Sequence, residues 1–300
     1  ELLYPEAAKR FGGKGLQNAL GRALSLGRVG AMMTPVGMGI TEANQGLLSL
    51  GTSGVYFTVS DKHRANPENT VHAFCHALPN RWHQMGVTLS AANSLAWLAD
   101  LMGKSVSELL ASLNAHYQQT NSLTTSVIFL PYLNGERTPH NDPQTSGQFI
   151  GLMNETSLDE MTLAVLEGVA FSLLDCQNAL ASADSLASDL SLIGGGARSP
   201  LWRQILANVL NKTLRYRAGG EVAPGLGAAR LALIGVKHQL LKTPLESLIQ
   251  QFCVKPDVLA QHKADTELRS YYDAKYALYK GYYETTKQFN TQLSHLVSMN

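Results

Sequence analysis

Ser191-Leu-Ile-Gly-Gly-Gly-Ala-Arg-Ser-Pro-Leu-Trp-Arg-Gln204 decides how this chain is read. Asp189 to Ile193 alternates and then runs apolar, as a buried strand does, and Ser199-Pro200 places an N-cap hydroxyl and an N1 proline at the head of a helix. Three glycines join the two. Without Cβ atoms, their backbone can lie against a flat ring or a phosphate, and the positive end of the following helix favours an anion. The same pattern also suits a tight strand-to-helix turn that binds nothing, so the neighbouring segments must decide.

Upstream, Leu47 to Leu50 and Val55 to Val59 read as two strands joined by Gly51-Thr52-Ser53-Gly54. Glycine and serine suit a plain hairpin turn, and two glycines, two hydroxyls and successive amides also suit an anion-binding nest. Further strands are predicted at His72 to Ala77, Trp82 to Val87 and Val127 to Leu133. Helices are predicted from Ser90 through Met102 with Leu95, Trp97, Leu98 and Leu101 as apolar positions, from Ser105 to Tyr117, and from Ser157 to about Ala181. Downstream, Thr213 to Tyr216 reads as a strand. Pro224 starts a helix whose small residues let it press flat against a sheet. Asp265 to His295 is a polar helical tail with a tyrosine stripe, which predicts core or interface packing and offers a homodimer contact. Strands first, then alternating strands and helices, predict an α/β fold with a mixed β-sheet covered by helices.

Composition narrows the function. The 300 residues are 45% hydrophobic and 16% charged, enough for a sizeable core. Lys and Arg (24) nearly balance Asp and Glu (23) without long like-charge blocks, so neither nucleic acid nor an acidic membrane is an expected partner. Cys75, Cys176 and Cys253 lie far apart without metal-ligand spacing, so no protein-held metal is expected and the thiols read as free. No uninterrupted apolar run reaches the ~18 residues of a membrane span and no signal peptide opens the chain, which places it in the cytoplasm. Glu1 to Gly13 predicts a short helix. Its abrupt start suggests a piece of something longer. Gly12-Gly13-Lys14 lacks the spaced glycine and following hydroxyl of the common phosphate loop.

The loop Asn134-Gly-Glu-Arg-Thr-Pro-His-Asn-Asp-Pro143 is dense in polar groups. Glu136, Arg137, His140 and Asp142 admit an acid/base reading, but adjacent charges beside two prolines more often pin a loop by local hydrogen bonds.

Four segments together carry a resemblance. Leu48-Ser-Leu-Gly-Thr-Ser-Gly-Val55, Phe129 through Pro143, Leu166-Glu-Gly-Val-Ala170 and Leu192-Ile-Gly-Gly-Gly-Ala-Arg-Ser199 resemble, in order, the C-terminal half of bacterial xylulose kinases in the FGGY family of carbohydrate kinases. The likeness runs from about Val36 to at least Gly235. It implies an actin-like, ribonuclease H-like ATPase fold in which two domains close on ATP and sugar, and transfer of the ATP γ-phosphate to D-xylulose. It implies that Gly51, Thr52 and Ser53 approach the ATP phosphates, with magnesium brought by the nucleotide. Gly195, Gly196 and Ala197 would lie against the adenosine, with Ser199 holding the turn. Glu136, Arg137, Thr138, Pro139 and His140 form the family's signature loop, with a structural role. Phosphoryl transfer relies chiefly on positioning and charge neutralisation, which backbone nests supply.

The expected organisation is a poorly matched segment over 1–35, a nucleotide-binding domain over 36–245 and a helical tail over 246–300. Two features depart from the family. The N-terminal domain, with most of the sugar pocket, is missing, so sugar would bind only with that partner half. The family also carries Gly-Gly-Asp-Asn-Ala shortly before the Val36 segment, with the aspartate as base for the sugar hydroxyl. This chain has Val29-Gly30-Ala31-Met32-Met33-Thr34-Pro35, and no acid lies between Lys14 and Glu42. Methionine has one codon, so a displaced frame across Met32-Met33 or Met33-Thr34 encodes aspartate. Two alternatives follow: the base is absent, or Lys14 to Pro35 reflects a shifted reading frame.

Overall fold

The computed structural model describes residues 28–298, with side chains over 32–293. The helix expected over Glu1 to Gly13 lies outside the described residues. Strand β1 (Gln45–Leu50) and strand β2 (Gly54–Ser60) form the expected hairpin, with Leu50 opposite Gly54. Strands β3 (His72–Cys75) and β4 (Trp82–Thr88) extend it antiparallel on the β2 side. On the other side, β7 (Asp189–Ile193) and β8 (Leu214–Arg217) run parallel to β1, and β9 (Val258–His262) closes the edge antiparallel. The result is a seven-stranded mixed sheet in the order β3-β4-β2-β1-β7-β8-β9. Two short strands between β4 and β7, β5 (Ile128–Leu130) and β6 (Gln148–Ile150), pair separately.

Strand alternation places one core cluster on each face of the sheet. Leu48, Leu50 and Tyr56 face a large cluster that includes helix α4 (Leu158–Ser182) and helix α5 (Pro200–Leu210). Leu47, Phe57 and Val59 face the opposite side, where Met38, Ile40 and Ala223 meet them. Ser157 caps α4 through a reciprocal pair with Glu160. α4 is long and apolar enough to cross a membrane, yet it is buried inside the core. Gly168 allows its axis close approach, because a Cβ there would sit 2.2 Å from the Phe129 carbonyl oxygen.

Helix α1 (Arg28–Gly37) precedes the sheet, and helix α6 (Ala223–Leu241) follows β8. The small residues of α6 press against α1 more than against the sheet as expected: a Cβ on Gly227 would sit 1.9 Å from the Met33 carbonyl oxygen, and one on Gly37 2.0 Å from that of Ala223. Arg230 adds bonds to the Val36 and Gly37 carbonyls at 2.9 and 2.8 Å.

Helix α2 (Ala92–Leu101) begins later than expected. Ser90 is not its cap: Ala91 occupies that position, and the Ser90 hydroxyl accepts a bond from Asn134 Nδ2 at 3.0 Å. Leu95 and Leu98 are buried as predicted, whereas Leu101 is 62% exposed because the helix ends there. Helix α3 (Val106–Thr120) starts at the Ser105 capping box.

The stretch 246–300, expected as helical, also supplies β9. Its other elements are the end of helix α7 (Leu245–Phe252) and helix α8 (Arg269–Ser298). The tyrosine stripe goes into the core, with Tyr272, Tyr279 and Tyr283 buried. Lys275 of α8 forms a buried pair with Glu167 of α4 at 2.5 Å, and Tyr271 donates to the same carboxylate at 3.0 Å. Burial raises the Glu167 carboxyl and lowers the Lys275 ammonium from their usual ranges. All three cysteines are free.

Candidate functional site

Parallel pairing of β1 with β7 places Ser49 opposite Ile193, so their carboxyl ends deliver the Gly51 turn and the Gly194 turn side by side. Ligands of open α/β sheets bind at such strand ends. Gly194 has φ +98, and a Cβ there would lie 2.5 Å from the Leu50 carbonyl oxygen. Only glycine lets β7 turn that closely over β1.

The turn Gly51 to Gly54 is held from behind. Ala92 N and Ala91 N donate to the Gly51 and Thr52 carbonyls at 2.8 and 2.9 Å, and the Ser53 hydroxyl donates to the Leu89 carbonyl at 3.3 Å. Gly51 N closes the turn onto Ser53 O at 3.2 Å. Among the described residues, no hydrogen bond engages the amides of Thr52 and Ser53, and Thr52 is exposed. These two donors are available to an anion.

Gly195 to Arg198 forms one turn of 3-10 helix, and Ser199 caps α5 by accepting from Trp202 N at 3.3 Å, as the sequence predicts. Within this turn the residues differ. Gly195 is exposed with open space where a Cβ would stand, whereas Gly196 and Ala197 are buried. The missing Gly196 side chain points at Leu50 and Trp202, into the core.

A cavity of about 400 Å³ opens beside Gly194 and Gly195, between the sheet face and the ends of α1 and α6. Ser49, Phe57, Ile193 and Pro224 supply part of its walls. Gly51, Thr52 and Ser53 are not part of its lining, so the two turns flank the cavity region without forming one pocket. Gly220 and Glu221 were not singled out in the sequence yet line the cavity, and Arg198 donates to Glu221 at 2.9 Å through Nε. The Gly219-Gly220 pair just before a helix was the available signal; Gly219 adopts φ +72.

The signature loop lies behind the first turn, outside the cavity. Its contacts are longer-range than the local bonds expected. Glu136 accepts from the Thr88 hydroxyl at 2.6 Å and from the amides of Leu89 and Arg137 at 3.0 and 2.7 Å. Burial pushes its carboxyl up to about 7, against those three donors. Thr138 docks on the end of β4, its amide donating to the Val87 carbonyl and its hydroxyl accepting from Val87 N, both at 3.0 Å. The Arg137 side chain is exposed, and Pro139 is half-buried. His140 stacks on Tyr283 at 3.7 Å, and burial lowers its imidazole to about 4. Asp142 accepts from Gln144 N and Thr145 N, holding the loop exit. This loop ties β4, α4 and α8 together. It offers no acid/base pair at the cavity.

Gly30 and Ala31, where an aspartate was expected, fall in α1, and the described part of that helix carries no acidic side chain.

Residues 46–236 match the C-terminal domain of the FGGY family of carbohydrate kinases, and the chain belongs to that family. The sheet and its helices are accordingly the actin-like ATPase fold. Among its relatives, the chain is 45% identical to the xylulose kinase of Escherichia coli K12 over 263 residues, covering 88% of this chain and 51% of the relative. It is 48% identical to the xylulose kinase of Klebsiella pneumoniae over 205 residues, covering 68% of this chain and 41% of the relative. The crystal structure of a "xyloylose kinase" from Brucella ovis superposes with a TM-score of 0.79 at 38% identity, covering 86% of this chain and 51% of that one. The chain thus spans about half the length of the curated relatives it matches, and corresponds to a C-terminal half.

Proposed function

We propose that this chain is the nucleotide-binding half of an ATP-dependent sugar kinase whose complete form phosphorylates D-xylulose to D-xylulose 5-phosphate. One observation carries the reading: two glycine turns, 51–54 and 194–197, leave adjacent parallel strands at the same edge, one with unengaged amides and one beside a cavity. ATP fits this arrangement. Its phosphates take the amides of Thr52 and Ser53, and its adenosine lies against the open face of Gly195, with Ala197 and Gly196 fixing the turn from the core side. Ser199 holds that turn by capping α5. Magnesium would come with the nucleotide, held by its phosphates. The bound nucleotide supplies the phosphoryl group. This chain's residues bind it, orient it and exclude water from one side, which is the positioning that phosphoryl transfer requires.

The sugar needs the N-terminal half that the longer relatives possess. One observation favours a second reading, a nucleotide-binding module without turnover: no carboxylate stands between Lys14 and Glu42 to take the proton of a sugar hydroxyl. Mixing the chain with the N-terminal half of a relative separates the two. Xylulose-dependent ADP release supports the kinase, and ADP binding without release supports the module. Failure of both would end the nucleotide reading. Sequencing the encoding DNA across Met32-Met33 settles whether an aspartate codon lies in a second frame.

A further inference from the structure

Glu136 is 3% exposed and does not line the cavity, yet it accepts three hydrogen bonds. A carboxyl buried this deeply is tolerated because hydrogen bonds offset its removal from water, and these three donors fix where it sits. Two of its three donors, Thr88 and Leu89, belong to the junction between β4 and α2. That same junction holds the Gly51 turn. Leu89 accepts from the Ser53 hydroxyl, Ala91 and Ala92 donate to the Thr52 and Gly51 carbonyls, and the Thr88 methyl packs where a Cβ on Gly54 would come within 2.5 Å. Every backward contact of the turn named above therefore lands on residues 88–92. Glu136 is the side chain that fixes the front of that segment, and Asn134 fixes its next residue through Ser90 at 3.0 Å.

The loop itself is anchored independently. Glu136 and Asp142 exchange backbone bonds at 2.9 Å each, and Thr138 pairs with Val87 beyond the point where β3 stops at Met85. The order of support is loop, then β4–α2 junction, then turn.

We infer that Glu136 is a positioning residue for phosphate binding: through Thr88 and Leu89 it sets the geometry of the Gly51-Thr52-Ser53 turn, so that the two free amides present together to a nucleoside diphosphate or triphosphate. This rests on the nucleotide reading above and adds to it a specific dependence on phosphates. Removing Glu136 frees the junction and blurs the turn, while the Gly195 turn, built on β7 and α5, keeps its place. Phosphate-dependent affinity falls and adenosine affinity does not. A general structural weakening would lower both.

The test is calorimetric titration of the full chain with magnesium ADP and, separately, with adenosine, for wild type, Glu136→Ala and Glu136→Gln, with thermal unfolding recorded for each. Glu136→Ala is expected to weaken ADP about tenfold, the loss of one or two hydrogen bonds that hold the β4–α2 junction, with adenosine unchanged. Glu136→Gln keeps an acceptor for the Leu89 and Arg137 amides and recovers most of the ADP affinity. If Glu136→Ala does not fold, Thr88→Val carries the test, since it keeps the shape and removes one bond; about threefold weaker ADP with adenosine unchanged is expected. An unchanged ratio of ADP to adenosine affinity in the folded variants overturns the inference and leaves the nucleotide reading standing. A wild-type chain that binds neither ligand overturns both.

Discussion

Gly195 and Gly196 are neighbours in one turn, and the structure assigns them opposite consequences on substitution. A Cβ on Gly196 would stand 2.5 Å from Leu50 Cδ2, 2.9 Å from Leu50 Cγ and 2.9 Å from Trp202 Cζ3. Leu50 and Trp202 are at most 1% exposed, and Trp202 is further held by its indole N–H donating to the Leu166 carbonyl at 3.1 Å. Neither can recoil into solvent. Valine at 196 adds three carbons to a closed core, which costs about 2–3 kcal/mol by the usual scale of overpacking. That is a fall in melting temperature of roughly 4–10 °C for a domain of this size. At Gly195 nothing lies within 4 Å of the Cβ position, so Gly195→Val should shift stability by less than about 0.5 kcal/mol. Its branched side chain stands in the space proposed for adenosine. The pair therefore separates: Gly196→Val melts early, and Gly195→Val melts normally but loses nucleotide. Thermal unfolding by circular dichroism, with calorimetric ADP titration of the same samples, reads both. A Gly196→Val protein as stable as wild type, beside a destabilised Gly195→Val, would refute the assignment of the two faces.

Three further outcomes follow from named contacts. Lys275→Met strips the buried Glu167 of its cation and should cost about 3–5 kcal/mol in urea unfolding, while Lys275→Met with Glu167→Leu recovers most of it; a neutral single variant would show that the pair is not buried. Gly227→Ala drives a methyl into the Met33 carbonyl, so it should separate α1 from α6 and lower the melting temperature by several degrees, roughly 1–3 kcal/mol of overpacking; an unchanged melting temperature would contradict that helix contact. His76 and His83 are buried with imidazoles lowered to about 4 and about 3, chiefly by burial. The unfolded chain takes up these protons first, so their contribution is whole above about pH 6.5 and is lost as pH falls toward 4, by about 1.4 kcal/mol per pH unit for each. Glu136 and Asp175, both raised to about 7 by burial, act in the opposite sense over the same range, losing their contribution as pH rises from about 4 to about 7. His83→Phe keeps the stack on Phe57 and isolates the histidine part: its stability should depend less steeply on pH between 6.5 and 4 than wild type. Equal slopes would contradict a buried neutral His83.

The two turns proposed to hold the nucleotide were the most legible. The Gly194 turn announced itself because its three signals, apolar strand, glycine run and Ser-Pro cap, are all local. The Gly51 hairpin was legible for the same reason. What the residues alone could not supply was the meeting of the two turns, since parallel pairing of β1 with β7 joins segments about 140 residues apart. The sequence also hid which glycine faces out, because Gly195 and Gly196 differ only in what Leu50 and Trp202 do behind them. β9 was missed since Val258 to His262 is short and largely exposed, without the clean alternation of a half-buried strand. Ser90 was misread as a cap because the serine type fits that role; its partner Asn134 is 44 residues away. The signature loop was read as locally pinned, and its reach to Thr88 and Leu89 depends on tertiary packing that no local spacing encodes.

The most direct test of the central claim is titration of magnesium ADP into the folded chain and into Gly195→Val. Saturable binding to the wild type with one site per chain is expected, lost in the variant while its melting temperature is unchanged. Equal binding by both proteins would contradict the placement of the nucleotide at the triple-glycine turn.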